Sequence, residues 1–475
     1  MTPEFALTGG RIFLDGKLHD GLALHVSGER IAAVCAQAEL PAHVPQIGVA
    51  GRAIVPGLID VHVHSEEWHA PLFLANGVTS VRDVGCELNT ILDRRERWNR
   101  SDASAPRMVC CGPLIDGGGA AHTQTMVVVK TPAEGRDVVD MLVESGVDQI
   151  KLYAWVEWPT FKAILEQSQK YNKFTVAHMM NYVDARSAVE AGLNEIEHCS
   201  GCAEAYYPER GRSGELWRKI FPDQTRAQMN GLIDLLLERG TWMAVTRVVW
   251  HKIAHEWDPR HWSVTPPFDG PPGRRAEDSL SSAPRLGGAV RPPRAGLEAP
   301  RRRDHPRLKY ASRPLQDWWL TRKPLETSRE YRFDWARAEG AMQIFIATLI
   351  ERGARVISGS DAPFAYVMPG FGLHEELQLL LDCGMTPAEA IVAATQLAAE
   401  AIQLDAQVGT LAAGKYADAV IVDGDPTQDI RALGSIWRVM RGGGQLLETA
   451  PLLAQAEEYA RTAQPNVVKR FSELY

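Results

Sequence analysis

Val55-Pro56-Gly57-Leu58-Ile59-Asp60-Val61-His62-Val63-His64 is an apolar run that ends in His-x-His. Successive side chains on a strand point to opposite faces, so His62 and His64 share one face. At the C-terminal end of a barrel strand, two imidazoles on one face can chelate a single metal ion. Two ordinary surface histidines would give the same short motif, so the rest of the chain has to decide.

Beyond this run, short apolar stretches alternate with helical periods, the pattern of repeated βα units. Barrel strands are predicted near 54–64, 78–84, 107–111, 148–153, 174–178, 195–198, 242–248 and 356–361. Helices are expected between them, for example at 133–145, 159–171 and 184–191, with another at 331–351 leading into the last strand. A helix at 387–402 reads as barrel packing. Eight such units make a (β/α)8 TIM-type barrel. Before them, Phe5-Ala6-Leu7, Arg11-Ile12-Phe13-Leu14 and the run from Leu22 to Val26 read as short strands broken by Gly9-Gly10. A second β-like stretch, with Ala419-Val420-Ile421-Val422 and the run from Ile436 to Met440, lies near the other end. Neither end can bury a core alone, so the two are expected to join in one small β-sandwich. The expected division is 1–54 and 406–475 for the sandwich and tail, and 55–405 for the barrel.

The segment 266–314 departs from this pattern, being crowded with Pro, Arg and Gly, as in Gly270-Pro271-Pro272-Gly273-Arg274-Arg275. Long structureless insertions are uncommon inside compact domains. Three readings stand: a lid over the site, a disordered surface insertion, or a local frame-shift in a GC-rich gene. Order is expected to resume near Asp317-Trp318-Trp319.

The 475 residues suffice for a barrel plus a smaller module, and 45% hydrophobic with 23% charged residues is ordinary for a globular protein. A diffuse formal charge of −8 gives no reason to expect a nucleic-acid or anionic-membrane partner. No signal peptide and no membrane-spanning run is read. Seven scattered cysteines favour a reduced, cytoplasmic protein, and the single Cys199-x-x-Cys202 lacks the second pair of a zinc ribbon.

Further chemistry-bearing residues fall at predicted strand ends. Lys151 lies in the apolar run Gln149-Ile150-Lys151-Leu152-Tyr153, where a lysine is costly unless neutralised or paired, or unless its head reaches solvent. Carboxylation by carbon dioxide would turn it into a carbamate able to bridge two cations. His178 closes Phe174-Thr175-Val176-Ala177-His178, and His198 closes Asn194-Glu195-Ile196-Glu197-His198. Asp361 ends Val356-Ile357-Ser358-Gly359-Ser360-Asp361, where a plain helix cap is the simpler alternative. Six potential ligands on strands 1, 4, 5, 6 and 8 are hard to gather by chance.

This set resembles the amidohydrolase superfamily, and the spacing from His178 to His198 is similar to that of its prolidase-type and imidazolonepropionase-like members. Val408-Gly409-Thr410-Leu411 and Gly414-Lys415-Tyr416-Ala417-Asp418-Ala419-Val420 resemble the family's return into its β-sandwich. The loop Gly117-Gly118-Gly119-Ala120-Ala121-His122 is similar to a Gly-rich, His-containing loop after strand 3. Met179-Met180-Asn181 departs from relatives that often carry another His there, which bears on substrate identity.

The resemblance implies a binuclear centre. His62, His64 and Asp361 would hold one divalent ion, His178 and His198 the other, and carboxylated Lys151 would bridge them. Imidazole and carboxylate donors suit zinc, with manganese or cobalt as alternatives. The implied reaction is attack of a metal-bound hydroxide on an amide-like C–N bond, with Asp361 shuttling the proton. Dipeptides, N-acyl amino acids, cyclic amides, ureas and carbamates are the expected small-molecule substrates. A lactone or phosphoester hydrolase is the second reading and a non-catalytic relative the third. His122 is a candidate for polarising the carbonyl, or else a mere loop residue. Arg247, at the end of strand 7, is a candidate for a substrate carboxylate. Trp155, Trp158, Tyr206, Tyr207, Trp242 and Trp250 could line an apolar pocket, although most read as core or shell. A homo-oligomer is expected.

Overall fold

The structure is a computed structural model that describes residues 4–118, 125–180, 182–206, 226–255, 307–321 and 329–462. Its centre is a ring of parallel strands: β1 Leu58–Val63, β2 Val78–Asp83, β3 Arg107–Cys110, β4 Ile150–Leu152, β5 Thr175–Ala177, β6 Glu195–Glu197, β7 Trp242–Ala244 and β8 Arg355–Ile357. Parallel ladders join β1 to β2 and β3, and β4 through to β8. Between β3 and β4 the Cys110 carbonyl accepts from the N–H groups of Asp148 (3.0 Å) and Gln149 (3.4 Å). The ring closes where Asp361 N–H donates to the His62 carbonyl (2.8 Å) and His64 N–H to that of Ala362 (2.9 Å). The expected TIM-type barrel is therefore present.

Helices follow the strands because their apolar faces cover the ring. Pro132–Glu144 and Trp158–Lys170 bring Val139, Leu142, Phe161 and Ile164 into one cluster with Ile150, Leu152 and Ile196. Thr131 caps the first of these through its side-chain oxygen, which accepts from Glu134 N–H, with Pro132 in the first turn. Inside the ring the lower layer is ionic: Arg82 donates to Gln149 (3.0 Å), to the Val61 carbonyl (2.7 Å) and to Glu195, all fully buried.

Both chain ends build the sandwich. One sheet runs Leu446–Leu447, Ile436–Met440, Ala419–Val422, Ala53–Pro56, Arg11–Leu14, Lys17–His19, so a C-terminal strand pairs directly with an N-terminal one. The other runs Arg30–Ala36, Leu22–Ser27, Glu4–Thr8, Gln46–Gly48. Leu7, Ile12, Leu24, Ile31, Ile54, Ile421 and Met440 fill the space between them.

Four expectations are corrected. The run at 54–64 is two strands, Ala53–Pro56 in the sandwich and β1 in the barrel, separated at Gly57. A Cβ on Gly57 would lie 2.0 Å from Thr79 Oγ1, so the chain turns there only without a side chain. The strand at 242–248 stops at Ala244, and Arg247–Ala254 is a helix. Its first N–H groups, Arg247 (3.0 Å) and Val248 (2.7 Å), donate to the Glu376 carboxylate, which satisfies orphan donors that a strand would not present this way. The helix at 387–402 is broken into Pro387–Ala393 and Gln396–Ala401, because the Ala394 carbonyl accepts from Ile59 N–H of β1 (2.8 Å) and Thr395 leaves helical geometry. Order also resumes earlier than Asp317. Leu308–Tyr310 forms a turn and Arg313–Thr321 a helix, tied by Gln316 Nε2 to the Leu308 and Ala311 carbonyls. The remainder of 266–314, up to residue 306, lies outside the described residues. No described helix is long and apolar enough to cross a membrane.

Candidate metal centre at the barrel mouth

β1, β4, β5, β6 and β8 deliver their C-terminal side chains to one mouth. Alternation along β1 puts Asp60, His62 and His64 on the inner side. Asp60 accepts from both the N–H (2.9 Å) and the hydroxyl (2.6 Å) of Ser360, which fastens the turn after β8 against β1. Burial raises the Asp60 carboxyl to about 6. That turn brings Asp361 Oδ1 to 3.3 Å from Nε2 of both His62 and His64. The other face of His62 meets Glu197, Nδ1 to Oε1 2.9 Å, and Lys151 Nζ lies against the second oxygen of Glu197. The His198 ring is 4.5 Å from that of His62 and 4.5 Å from that of His178, centroid to centroid.

His62, His64, Lys151, His178, His198 and Asp361 are thus brought into one contact chain. Glu197 joins them, a residue the sequence reading passed over. Its signal was present: Glu195-x-Glu197 repeats the same-face logic of His-x-His on β6. Below it, Glu195 is taken by Arg82.

The backbone is bent at the same place. His198, Cys199, Thr246 and Asp361 have φ of 59°, 54°, 42° and 56°, in the left-handed region that non-glycine residues rarely enter. Such conformations cluster where a site holds side chains out of the regular ladder. Groups outside the cluster orient two of its rings. His64 Nδ1 donates to the Gly85 carbonyl at 3.2 Å, and His198 Nδ1 pairs with the Thr246 hydroxyl. Fixing one ring nitrogen in this way leaves the other facing the mouth.

The electrostatics suit a cation. Burial lowers His62, lowers His198 far, and pushes His178 down to about 3, so these imidazoles are neutral bases with lone pairs to offer. Burial also brings the Lys151 amine down to about 7. Burial alone would raise Asp361, but His62 and His64 hold its carboxyl well below the ordinary range. The His62, His64 and Asp361 ligand atoms lie within 4.8 Å of one another, as do those of His62, Glu197 and His198. His62 Nδ1 and both Glu197 oxygens are buried without a hydrogen bond of normal geometry. Neutral imidazoles, carboxylates and unsatisfied buried oxygens are the donor set a divalent metal fits.

The remaining candidates fall elsewhere. Arg247 is buried, with its guanidinium committed to Glu339 (2.8 Å) and the Leu379 carbonyl (2.6 Å). His122 and Tyr207 lie outside the described residues, and Tyr206 ends a short turn, Glu204–Tyr206. Trp250 stands edge-on to His198 at 6.2 Å, Tyr153 edge-on to His178 at 5.0 Å, and Trp155 against Tyr182 at 6.2 Å. Trp158 stacks on Phe161, and Trp242 is buried beneath Arg355, so both are packing residues.

Two family models match the sequence: the NagA composite domain over residues 5–54, and the amidohydrolase family over residues 328–446. The second takes in β8, Asp361 and the strands Ala419–Val422 and Ile436–Met440. Over these residues the chain is similar to the amidohydrolase family. The fold recurs in solved structures of low sequence identity. One is a Xaa-Pro dipeptidase with methionine bound in the active site, at 18% identity and TM-score 0.63, covering 94% of this chain and 100% of that one. A bottromycin amidohydrolase matches at 20% and 0.65, covering 96% and 90%. The ochratoxinase of A. niger matches at 17% and 0.62, covering 94% and 95%. No curated protein sequence matches this chain.

Proposed function

We propose that the protein hydrolyses a C–N amide-like bond in a small molecule, using divalent ions held at the barrel mouth. The observation that carries this reading is the contact chain of four imidazoles, Asp361 and Lys151 at one end of the barrel. His62, His64 and Asp361 would hold one ion, His178 and His198 a second, and a carboxylated Lys151 would bridge them. The ions, zinc foremost, supply Lewis acidity towards a carbonyl oxygen and lower the pKa of water towards about 7.

The chain's own residues do the rest. Lys151 is buried beside Glu197, and its neutral amine can add to carbon dioxide. A C–N bond forms at Nζ, a proton leaves, and a carbamate anion results. Asp361, at the rim between His62 and His64, is placed to take a proton from the attacking water and hand it to the leaving nitrogen. Tyr153 stands beside His178 and Trp250 beside His198, apolar rings that favour a substrate with an aromatic or bulky apolar portion. Arg247 is engaged elsewhere, so recognition of a free substrate carboxylate falls to other groups.

Among the similar structures, one is named a dipeptidase and another an amidohydrolase, in keeping with amide cleavage. All seven cysteines are free thiols, which supports a reducing, cytoplasmic setting. The test is chelation followed by readdition of zinc, manganese or cobalt, read against a panel of N-acyl amino acids, dipeptides, cyclic amides, carbamates, lactones and phosphotriesters. Activity should vanish on chelation, return with the metal and concentrate on the C–N substrates. Turnover that survives chelation would overturn the metal centre. Activity confined to lactones or phosphotriesters would overturn the bond assignment.

A further inference from the structure

A second group of metal-binding side chains lies outside the barrel mouth. His251 is on the helix Arg247–Ala254 and His255 is the residue that caps its C-terminus. Residues four apart on a helix share a face, and the two rings are 4.6 Å apart, centroid to centroid. Glu339, on the neighbouring helix Arg329–Glu351, completes the group, with Oε1 3.5 Å from His251 Nδ1. One ligand atom from each of the three residues lies within 4.8 Å of the others.

We propose that His251, His255 and Glu339 form an additional binding site for a borderline divalent cation such as Zn²⁺ or Co²⁺. A tetrahedral ion with bonds of about 2.0–2.1 Å places its ligand atoms roughly 3.4 Å apart. The His251–Glu339 separation is close to that value, and a His255 nitrogen lies within 4.8 Å of both ligand atoms. The His251 and Glu339 side chains are only 13% and 11% exposed. Arg247 bonds Oε1 of Glu339, and a carboxylate has lone pairs enough for an arginine and an ion together. The C-terminal end of the first helix adds a favourable partial negative charge.

The site has a consequence for the mouth. The helix that carries His251 begins at Thr246, which pairs with His198, and includes Trp250, which stands against the same ring. An ion joining His251 and His255 to Glu339 ties this helix to Arg329–Glu351 and holds both of those contacts in place. The inference does not depend on the proposed substrate or on the ion count at the mouth.

The experiment uses the full chain, stripped with chelator and dialysed against zinc chloride, with zinc per chain counted by mass spectrometry. His255→Gln and His251→Ala, checked by circular dichroism, should each bind one zinc fewer than the parent, and the zinc-induced rise in Tm should shrink in both. Should His251→Ala fail to fold, His255→Gln alone decides. Equal zinc content and an equal Tm rise in the folded variants would overturn the site.

Discussion

Asp361 touches two imidazoles through one oxygen and lies at the barrel rim, so under the proposed function its loss would remove a ligand and a proton carrier together. Asp361→Ala or His62→Ala should lower kcat by about 10³-fold or more while the far-UV spectrum keeps its native shape. Near-normal turnover in either variant would break the assignment. Glu204 offers a different kind of test at the same scale. It is buried beyond β6, and burial raises its carboxyl from 4.5 to about 7. The folded chain therefore keeps a proton that the unfolded chain releases as pH climbs from about 4.5 to about 7. Stability from this group falls across that window by up to about 3 kcal/mol and stays low above it. Glu204→Gln should melt close to the parent at pH 4.5 and several degrees above it at pH 8. Melting curves that differ by the same amount at both pH values would show that the carboxyl is not held protonated.

The turn after β8 shows how an element places Asp361. In Ser358-Gly359-Ser360-Asp361, a Cβ on Gly359 would lie 2.7 Å from His62 Cβ and 3.1 Å from His62 N. β8 can lie against β1 only with glycine there, and the Asp60–Ser360 bonds then lock the pair. Gly359→Ala should push His62 outward, costing about 1–3 kcal/mol by overpacking and about 10²-fold in kcat from misplacement of the reacting groups. The check is a urea melt beside steady-state kinetics, and unchanged kcat with a lowered midpoint would mean that the strand moves without moving the ligand. This element also marks the limit of what the sequence discloses. Apolar runs gave the positions of the barrel strands, the His-x-His ending gave His62 and His64, the polar residues closing other runs gave His178, His198 and Asp361, and a lysine inside an apolar run gave Lys151. The run-and-stop pattern could not show that the ladders end early, because His198 and Asp361 leave them at positive φ. Nor could it show that Arg247 starts a helix, since the carboxylate that receives its N–H belongs to Glu376, far along the chain. Glu197 was hidden because an acidic residue beside a histidine looks like surface until its strand is known to face inward.

Across the whole molecule, the two ends of the chain meet over the barrel, and one buried ion pair couples the parts. The sandwich was legible as two groups of short strands, each too small to stand alone, yet nothing in their pattern told which strands pair or what ties them to the barrel. Asp418 makes that tie. It precedes the strand Ala419–Val422, accepts from Arg107 of β3 (3.1 and 3.4 Å), and also accepts from Gly442 N–H (2.6 Å). The Arg107 guanidinium lies 3.4 Å over the Tyr416 ring. Removing one partner of a buried pair leaves an uncompensated charge, so Asp418→Ala should cost about 3–5 kcal/mol. Replacing both, Arg107→Met with Asp418→Ala, should recover much of that loss, because two neutral groups need no desolvation to be offset. Neither residue contacts the mouth, so kcat per folded molecule should match the parent in both variants. A double variant no more stable than Asp418→Ala would show that the Gly442 bond, rather than the ion pair, holds sandwich and barrel together.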